Sequence, residues 1–110
     1  MRVAESGSGI VGYVVGRSVL DEAEILNLGV DPPARRQGVA RALVRDLLSG
    51  FAAARIRSVF LEVRESNLAA LALYQSFGFR PVGRRPRYYR RPIEDAVLLR
   101  VDIRADPPPA

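Results

Sequence analysis

A chain of 110 residues, 48% hydrophobic and 26% charged, is long enough for one compact domain with a single core, and its composition excludes wholesale disorder, collagen-like repeats and low-complexity architectures. With no cysteine and no histidine, disulfides, thiolate nucleophiles, cysteine zinc sites and imidazole bases are excluded, so no metal is expected and proton chemistry falls to Asp, Glu, Tyr and Ser. All 17 basic residues are arginine, and the net charge of +5 favours an anionic partner such as phosphate groups, nucleic acid or an acidic peptide.

In chain order, Arg2–Glu5 reads as a short extended segment and Ser6-Gly7-Ser8-Gly9 as a turn into Ile10–Val19, a β-rich stretch, so the chain opens with a hairpin. Leu20-Asp21-Glu22 breaks the pattern, and Ala23–Val30 is a further strand, apolar enough to be expected at the centre of a sheet and covered on both faces. After Asp31-Pro32-Pro33, the apolar residues Val39, Ala42, Leu43, Leu47 and Phe51 recur at helical spacing from Gly38 to about Ala54, with Arg41, Arg45 and Asp46 on other faces. Ser58–Val63 is a buried strand. Asn67 starts a second helix through Leu71 and Tyr74, capped at Gly78. Phe79–Gly83 and Ala96–Ile103 are two more strands, joined by an arginine- and tyrosine-rich connection, Arg84–Arg91. The expected organisation is one domain over 1–104 and a disordered proline-rich tail at 105–110. The fold class is α/β: a mixed sheet with antiparallel strands first and a central βαβ crossover. No apolar run approaches the roughly 18 residues that cross a bilayer, and Met1–Gly9 lacks the apolar stretch of a secretory signal, which points to a cytoplasmic protein without membrane contact.

The segment Arg35-Arg36-Gln37-Gly38-Val39-Ala40 stands where a strand has ended and a helix begins. Backbone N–H groups are unpaired there and the helix dipole adds positive potential, a setting that binds phosphate. Gly38 and Ala40 allow close approach and the arginines can clamp anionic oxygens. The same residues also read as an ordinary helix start with solvated arginines.

A strand ending in Leu28-Gly29-Val30-Asp31-Pro32, followed by R-x-x-G-x-A at a helix start, resembles the acetyl-CoA pyrophosphate loop of the GNAT N-acetyltransferase superfamily. Leu61-Glu62-Val63-Arg64, Ser66-Asn67, Ala72-Leu73-Tyr74 and Phe77-Gly78-Phe79 resemble that superfamily's second cofactor-binding segment, in the same order and spacing. Arg84-Arg85-Pro86-Arg87-Tyr88-Tyr89 is similar to the R-R-x-Y-Y element of the RimI-like ribosomal-protein-alanine N-acetyltransferases, and the likeness runs from about Val11 to Val101.

The resemblance implies an enzyme that uses acetyl-CoA as co-substrate to acetylate an amine, above all the α-amine of an N-terminal alanine on a ribosomal protein. It assigns Leu28, Gly29 and Val30 to main-chain contacts with pantetheine and acetyl group, and Arg35, Arg36, Gln37, Gly38, Val39, Ala40 and Arg41 to the pyrophosphate. Asn67 falls on the pantetheine arm, Glu62 becomes general base, Tyr74 general acid, and Glu24, Tyr88 and Tyr89 border the acceptor. Without histidine, a carboxylate is the natural acceptor of an amine's proton, a phenol can protonate a departing thiolate, and the N–H of Val30 is a candidate oxyanion donor. The residues alone leave other readings open: Glu62 as a strand carboxylate paired with Arg64 or Arg80, Tyr74 as helix core beside Phe77, Asn67 as a helix cap, Glu24 as a rival base. A catalytically idle CoA-binding or RNA-binding module is the alternative function, because Arg84–Arg91 has the composition of a ribosome- or RNA-contacting surface. Members of the superfamily carry a strand and two helices before the hairpin, without counterpart upstream of Arg2. The expectation is an uncovered apolar sheet face, and a homodimer to cover it.

Overall fold

Alternating small and large side chains in the first thirty residues build two successive antiparallel pairings, β1 (Arg2–Ser6) with β2 (Gly9–Val19) and β2 with β3 (Glu22–Val30). The computed structural model, which describes residues 1–6, 9–31, 35 and 38–103, continues with α1 (Val39–Ala53), β4 (Ser58–Arg64), α2 (Leu68–Ser76), β5 (Arg80–Tyr89) and β6 (Glu94–Asp102). The strands form one six-stranded sheet in the order β1-β2-β3-β4-β6-β5, with β3 and β4 parallel and every other pair antiparallel. This is the mixed, mostly antiparallel sheet with a βαβ crossover that the sequence predicts. The proline-rich tail lies outside the described residues, and no described helix is long and apolar enough to cross a membrane.

Both helices serve one core on one face of the sheet. Leu43, Val44 and Leu47 of α1 and Tyr74 of α2 join Val14, Ala23, Ile25, Val59, Leu61, Val63, Val97 and Leu99 in a single buried cluster. Full burial of each such aliphatic side chain contributes roughly 1.5–3 kcal/mol, so this layer dominates stability. Close seating of α1 on β2 requires missing side chains: a Cβ at Gly12 would stand 3.0 Å from Val39 Cγ1, and one at Gly16 2.9 Å from Phe51 Cζ. Asn67 caps α2, its Oδ1 accepting from the Ala70 N–H at 3.1 Å, and the last turn closes on Phe77 and Gly78.

Two expectations change. β3 is central but covered on one face only: Ala23 and Ile25 are buried under the helices, whereas Glu24 and the half-exposed Leu26 are not. The uncovered face is also mixed rather than plainly apolar. Arg17 pairs with Glu24 at 3.2 Å and Arg85 with Glu62 at 2.8 Å. The Arg100 and Arg64 guanidiniums lie over the rings of Phe60 and Tyr89 at 5.3 and 4.3 Å. Arginine stems and planar heads thus cover aromatic and aliphatic ground that would otherwise meet water. The second change concerns Arg84–Arg91, most of which is the body of edge strand β5 rather than a connection. Arg84 opposes Val97, Arg85 opposes Ala96 and Tyr89 opposes Glu94, leaving the turn to Arg90–Ile93. An edge strand has a free side, so Pro81 and Pro86 need cost no ladder bond and the arginine heads stay solvated.

Asp102 ties three strand ends together. Its Oδ1 accepts from Arg100 Nε (2.9 Å) and Ser58 Oγ (3.0 Å), and its Oδ2 from Arg80 Nη2 (3.2 Å). The Arg100 hydrogen bond first, then those of Ser58 and Arg80, hold its carboxyl down at about 2. A carboxyl lowered in the folded state stabilises above its ordinary pKa of 3.8, and this contribution is lost as pH falls towards 2. Asp102→Asn is therefore expected to lower the melting temperature at neutral pH and to flatten its fall between pH 4 and 2. A thermal-denaturation series across pH identical to that of the unsubstituted chain contradicts the clamp.

Candidate active site

The site begins with one extra residue. Val15 opposes Asn27 while Gly16 opposes Ile25, so Leu26 of β3 has no counterpart on β2. This bulge shifts which residues face which side. Before it Ala23 and Ile25 point to the helices, and after it Leu28 and Val30 do, while Asn27 and Gly29 turn to the open face. There the Tyr13 ring covers Gly29, where a Cβ would come within 2.6 Å of it. The bulge also coincides with the end of the parallel ladder. β3 pairs with β4 only at Glu22↔Ser58, Ala23↔Val59 and Glu24↔Phe60. Beyond these residues the strands diverge, so the sheet is open along its middle and the β3 backbone has no ladder partner on that side.

The gap is a cleft of about 780 Å³, a size suited to a small ligand or cofactor, lined by Leu28, Gly29, Val30, Glu62, Asn67, Tyr74 and Tyr89 among others. On the helix side it continues into a hollow of about 240 Å³ bounded by Val30, Arg35, Gly38, Val39, Ala40, Arg41 and Leu73. α1 starts there from Gly38, whose φ of 77° favours glycine, and no acidic side chain stands in its first turn to compete for the free N–H groups. Arg35 Nε donates to the Val30 carbonyl at 3.1 Å, tying the loop to the end of β3, and the Arg41 guanidinium lies 5.4 Å from the Phe77 ring centre. Arg36 and Gln37, expected with these residues at the pyrophosphate, lie outside the described residues.

Tyr74 reaches the cleft from the helix side. It is 5% exposed, its ring meets Phe79 edge-on at 5.4 Å rather than Phe77, and burial pushes its phenol up to about 12. Glu62 reaches the cleft from the open face. Its partner is Arg85 at 2.8 Å, not Arg64 or Arg80, because Leu98 opposite Glu62 and Ala96 opposite Arg85 make the two diagonal neighbours across β6. Tyr89 closes that mouth over Arg64. Burial first, then the nearby Glu62 charge, raises its phenol. Arg64 also donates to Glu94 (3.0 Å) and to the Pro92 carbonyl (3.3 Å), fixing the β5–β6 turn at the rim.

Tyr88 and Glu24 remain outside the cleft lining. Tyr88 is half-exposed, edge-on to Tyr89 at 5.1 Å, with Arg85 5.5 Å from its ring centre. Glu24 is held by Arg17 and shares a smaller hollow with Phe60, Glu62 and Arg85. Sequence reasoning missed Leu26, Arg85 and Tyr13, whose parts depend on cross-strand register. The arrangement is a passage through the sheet. The glycine-led start of α1 and a buried phenol lie on one face, and a carboxylate with a tyrosine rim on the other.

A sequence model described as the acetyltransferase (GNAT) family matches residues 1–79. The chain belongs to the GNAT acetyltransferase family. Over 103 residues it is 47% identical to the N-alpha-acetyltransferase RimI of Mycobacterium tuberculosis, a match covering 90% of this chain and 63% of that protein. Its fold is similar to the crystal structure of the ribosomal-protein-S18-alanine N-acetyltransferase of Escherichia coli, with a TM-score of 0.85 and 37% identity over 89% of this chain and 64% of that one. The NatC complex bound to Gag peptide and CoA contains a chain that is similar at a TM-score of 0.84 and 25% identity, covering 92% of this chain and 66% of that one. The chain thus spans just under two thirds of the length of the curated relatives first matched, at 63% and 65%.

The buried phenol provides a test of the site's interior. Of the 4 tyrosines, Tyr74 should resist ionisation until about pH 12 in an absorbance titration of the folded chain, and Tyr74→Phe should remove that late step. Because the folded value lies above the ordinary 10, this residue's share of stability is present below pH 10 and is lost as pH rises towards 12. A titration with every phenol ionised near pH 10 in the folded state contradicts the burial.

Proposed function

We propose that this protein is an acetyl-CoA-dependent N-acetyltransferase acting by direct transfer on a protein N-terminal α-amine, with the N-terminal alanine of a ribosomal protein as first candidate. The observation that carries the reading is the passage through the sheet, which lets a donor on the helix face and an acceptor on the open face meet at the gap between β3 and β4. Membership of the family supports it, as do relatives described as N-acetyltransferases of a ribosomal-protein alanine.

The residues fit the co-substrate. The first turn of α1, with Gly38, Val39, Ala40 and Arg41, offers N–H groups and positive potential to a pyrophosphate, and Arg35, Arg36 and Gln37 flank it in sequence. The unpaired edge of β3 at Leu28, Gly29 and Val30 offers main-chain partners to the amides of a pantetheine arm, and Asn67 stands across the cleft from it. Acetyl-CoA supplies the activated acyl group.

The other parts belong to this chain. Glu62 takes the proton of the acceptor ammonium, which must displace the Arg85 guanidinium to reach the carboxylate. Tyr89 forms the wall beside Glu62, with Tyr88 and Glu24 further out on the acceptor side. The N–H of Val30 is the donor for the developing oxyanion. Tyr74 stays protonated and delivers its proton to the departing sulfur. Burial weakens it as an acid, but the same burial raises a thiol seated beside it, so donor and leaving group stay matched.

Glu62→Gln and Tyr74→Phe are each expected to reduce kcat on an alanine-starting peptide by at least about tenfold, the usual worth of positioned acid–base groups, with acetyl-CoA affinity nearly intact. Steady-state kinetics with both variants at unchanged kcat would overturn these assignments.

A further inference from the structure

The arginine-rich end of the molecule divides into engaged and free side chains. Arg84 is held by Glu65 and Asp95 at 2.6 and 3.2 Å, and Arg85 by Glu62 at 2.8 Å, so neither has its charge to spare. Arg87, Arg90 and Arg91 differ. Among the described residues none of them forms an ion pair, all three are exposed, and with Ile93 they line one hollow of about 520 Å³ at the β5–β6 turn.

The reason lies in how the nearby acids are used. Asp95 accepts at Oδ1 from the Arg87 backbone N–H (2.9 Å) and at Oδ2 from Arg84, and Glu94 accepts from Arg64 (3.0 Å) and from the Ser66 N–H (3.1 Å). Arg64 also holds the turn itself through the carbonyls of Pro92 and, at 3.5 Å, Arg90. Three guanidiniums without an ion pair among the described residues are therefore presented within five residues on an anchored backbone, where a bound anion would offset their mutual repulsion.

We propose that this turn, at the rim of the acetyl-transfer cleft, is an RNA-docking surface formed by guanidiniums outside the cleft's own lining. Guanidinium forks match phosphate oxygens bidentately, and a fixed, concave row of them suits a repeating phosphodiester backbone. An acidic peptide would share the charge, but a phosphodiester backbone sets an anion at every nucleotide along such a row, so RNA is the better match.

The test is fluorescence anisotropy of the full chain with a labelled single-stranded RNA of about 12 nucleotides, a length within the usual single-strand site sizes, read across a salt series. Three phosphate contacts predict a slope of log K against log salt near about −2. R87A/R90A/R91A, and the bulk-preserving R87Q/R90Q/R91Q, should weaken binding at least about tenfold and flatten the slope. R45A/R55A/R57A, which removes the same charge from exposed positions on α1 and at the opposite end of β4, should bind as the unsubstituted chain does. Equal loss in both sets would mean attraction by net charge alone. Displacement of the RNA by polyglutamate at matched charge would mean an acidic partner. Either result, or no RNA binding by the unsubstituted chain, overturns the proposal.

Discussion

The extra residue in β3 governs the rest of the molecule. With Leu26 unpaired on the β2 side, the strand twists away from β4 just as their parallel ladder ends at Glu24↔Phe60. A sheet that stayed paired would bury its backbone groups in its own ladder and seal its two faces from each other. The bulge instead leaves a through-going gap and turns Leu28 and Val30 towards the helices. Tyr74 and the α1 start then converge on the gap from one side, and Glu62 and Tyr89 from the other.

The second ordering influence is arginine, used without lysine. Across the open face, guanidiniums pair with Glu24, Glu62, Glu94 and Asp102 and stand over the rings of Phe60, Tyr88 and Tyr89. Single exposed pairs of this kind contribute little, about 0–1 kcal/mol each, so their importance lies in arrangement rather than stability. They hold Glu62 in place beside Arg85, and by occupying the acids of the β5–β6 turn they leave Arg87, Arg90 and Arg91 without an ion pair among the described residues.

Much of this was readable from the residues. The helical spacing of Val39, Leu43, Leu47 and Phe51 marks α1, Gly38 marks its start, Asn67 is the cap its residue type suggests, and Glu62 and Tyr74 do meet at one cleft. What stayed hidden depends on register between distant strands. Leu26 sits in the run Ile25-Leu26-Asn27-Leu28, where the apolar pattern gives no sign that the facing changes. The same apolar richness suggested cover on both faces of β3, although a strand beside an open gap needs burial on only one. The first residues of β5 read as a strand, but Arg84–Tyr89 read as a connection because arginine and proline are rare in central strands, yet they suit an edge. The Glu62–Arg85 pair could not be chosen over Arg64 or Arg80 without knowing that β6 lies between β4 and β5.

The most direct test of the central claim is amide hydrogen exchange of the chain with and without acetyl-CoA. If the bulge and splay create the donor seat, acetyl-CoA should slow exchange mainly along residues 25–30 of β3 and in the first turn of α1 after Gly38. Unchanged exchange in both segments, or protection confined to the β5–β6 turn, would contradict the account.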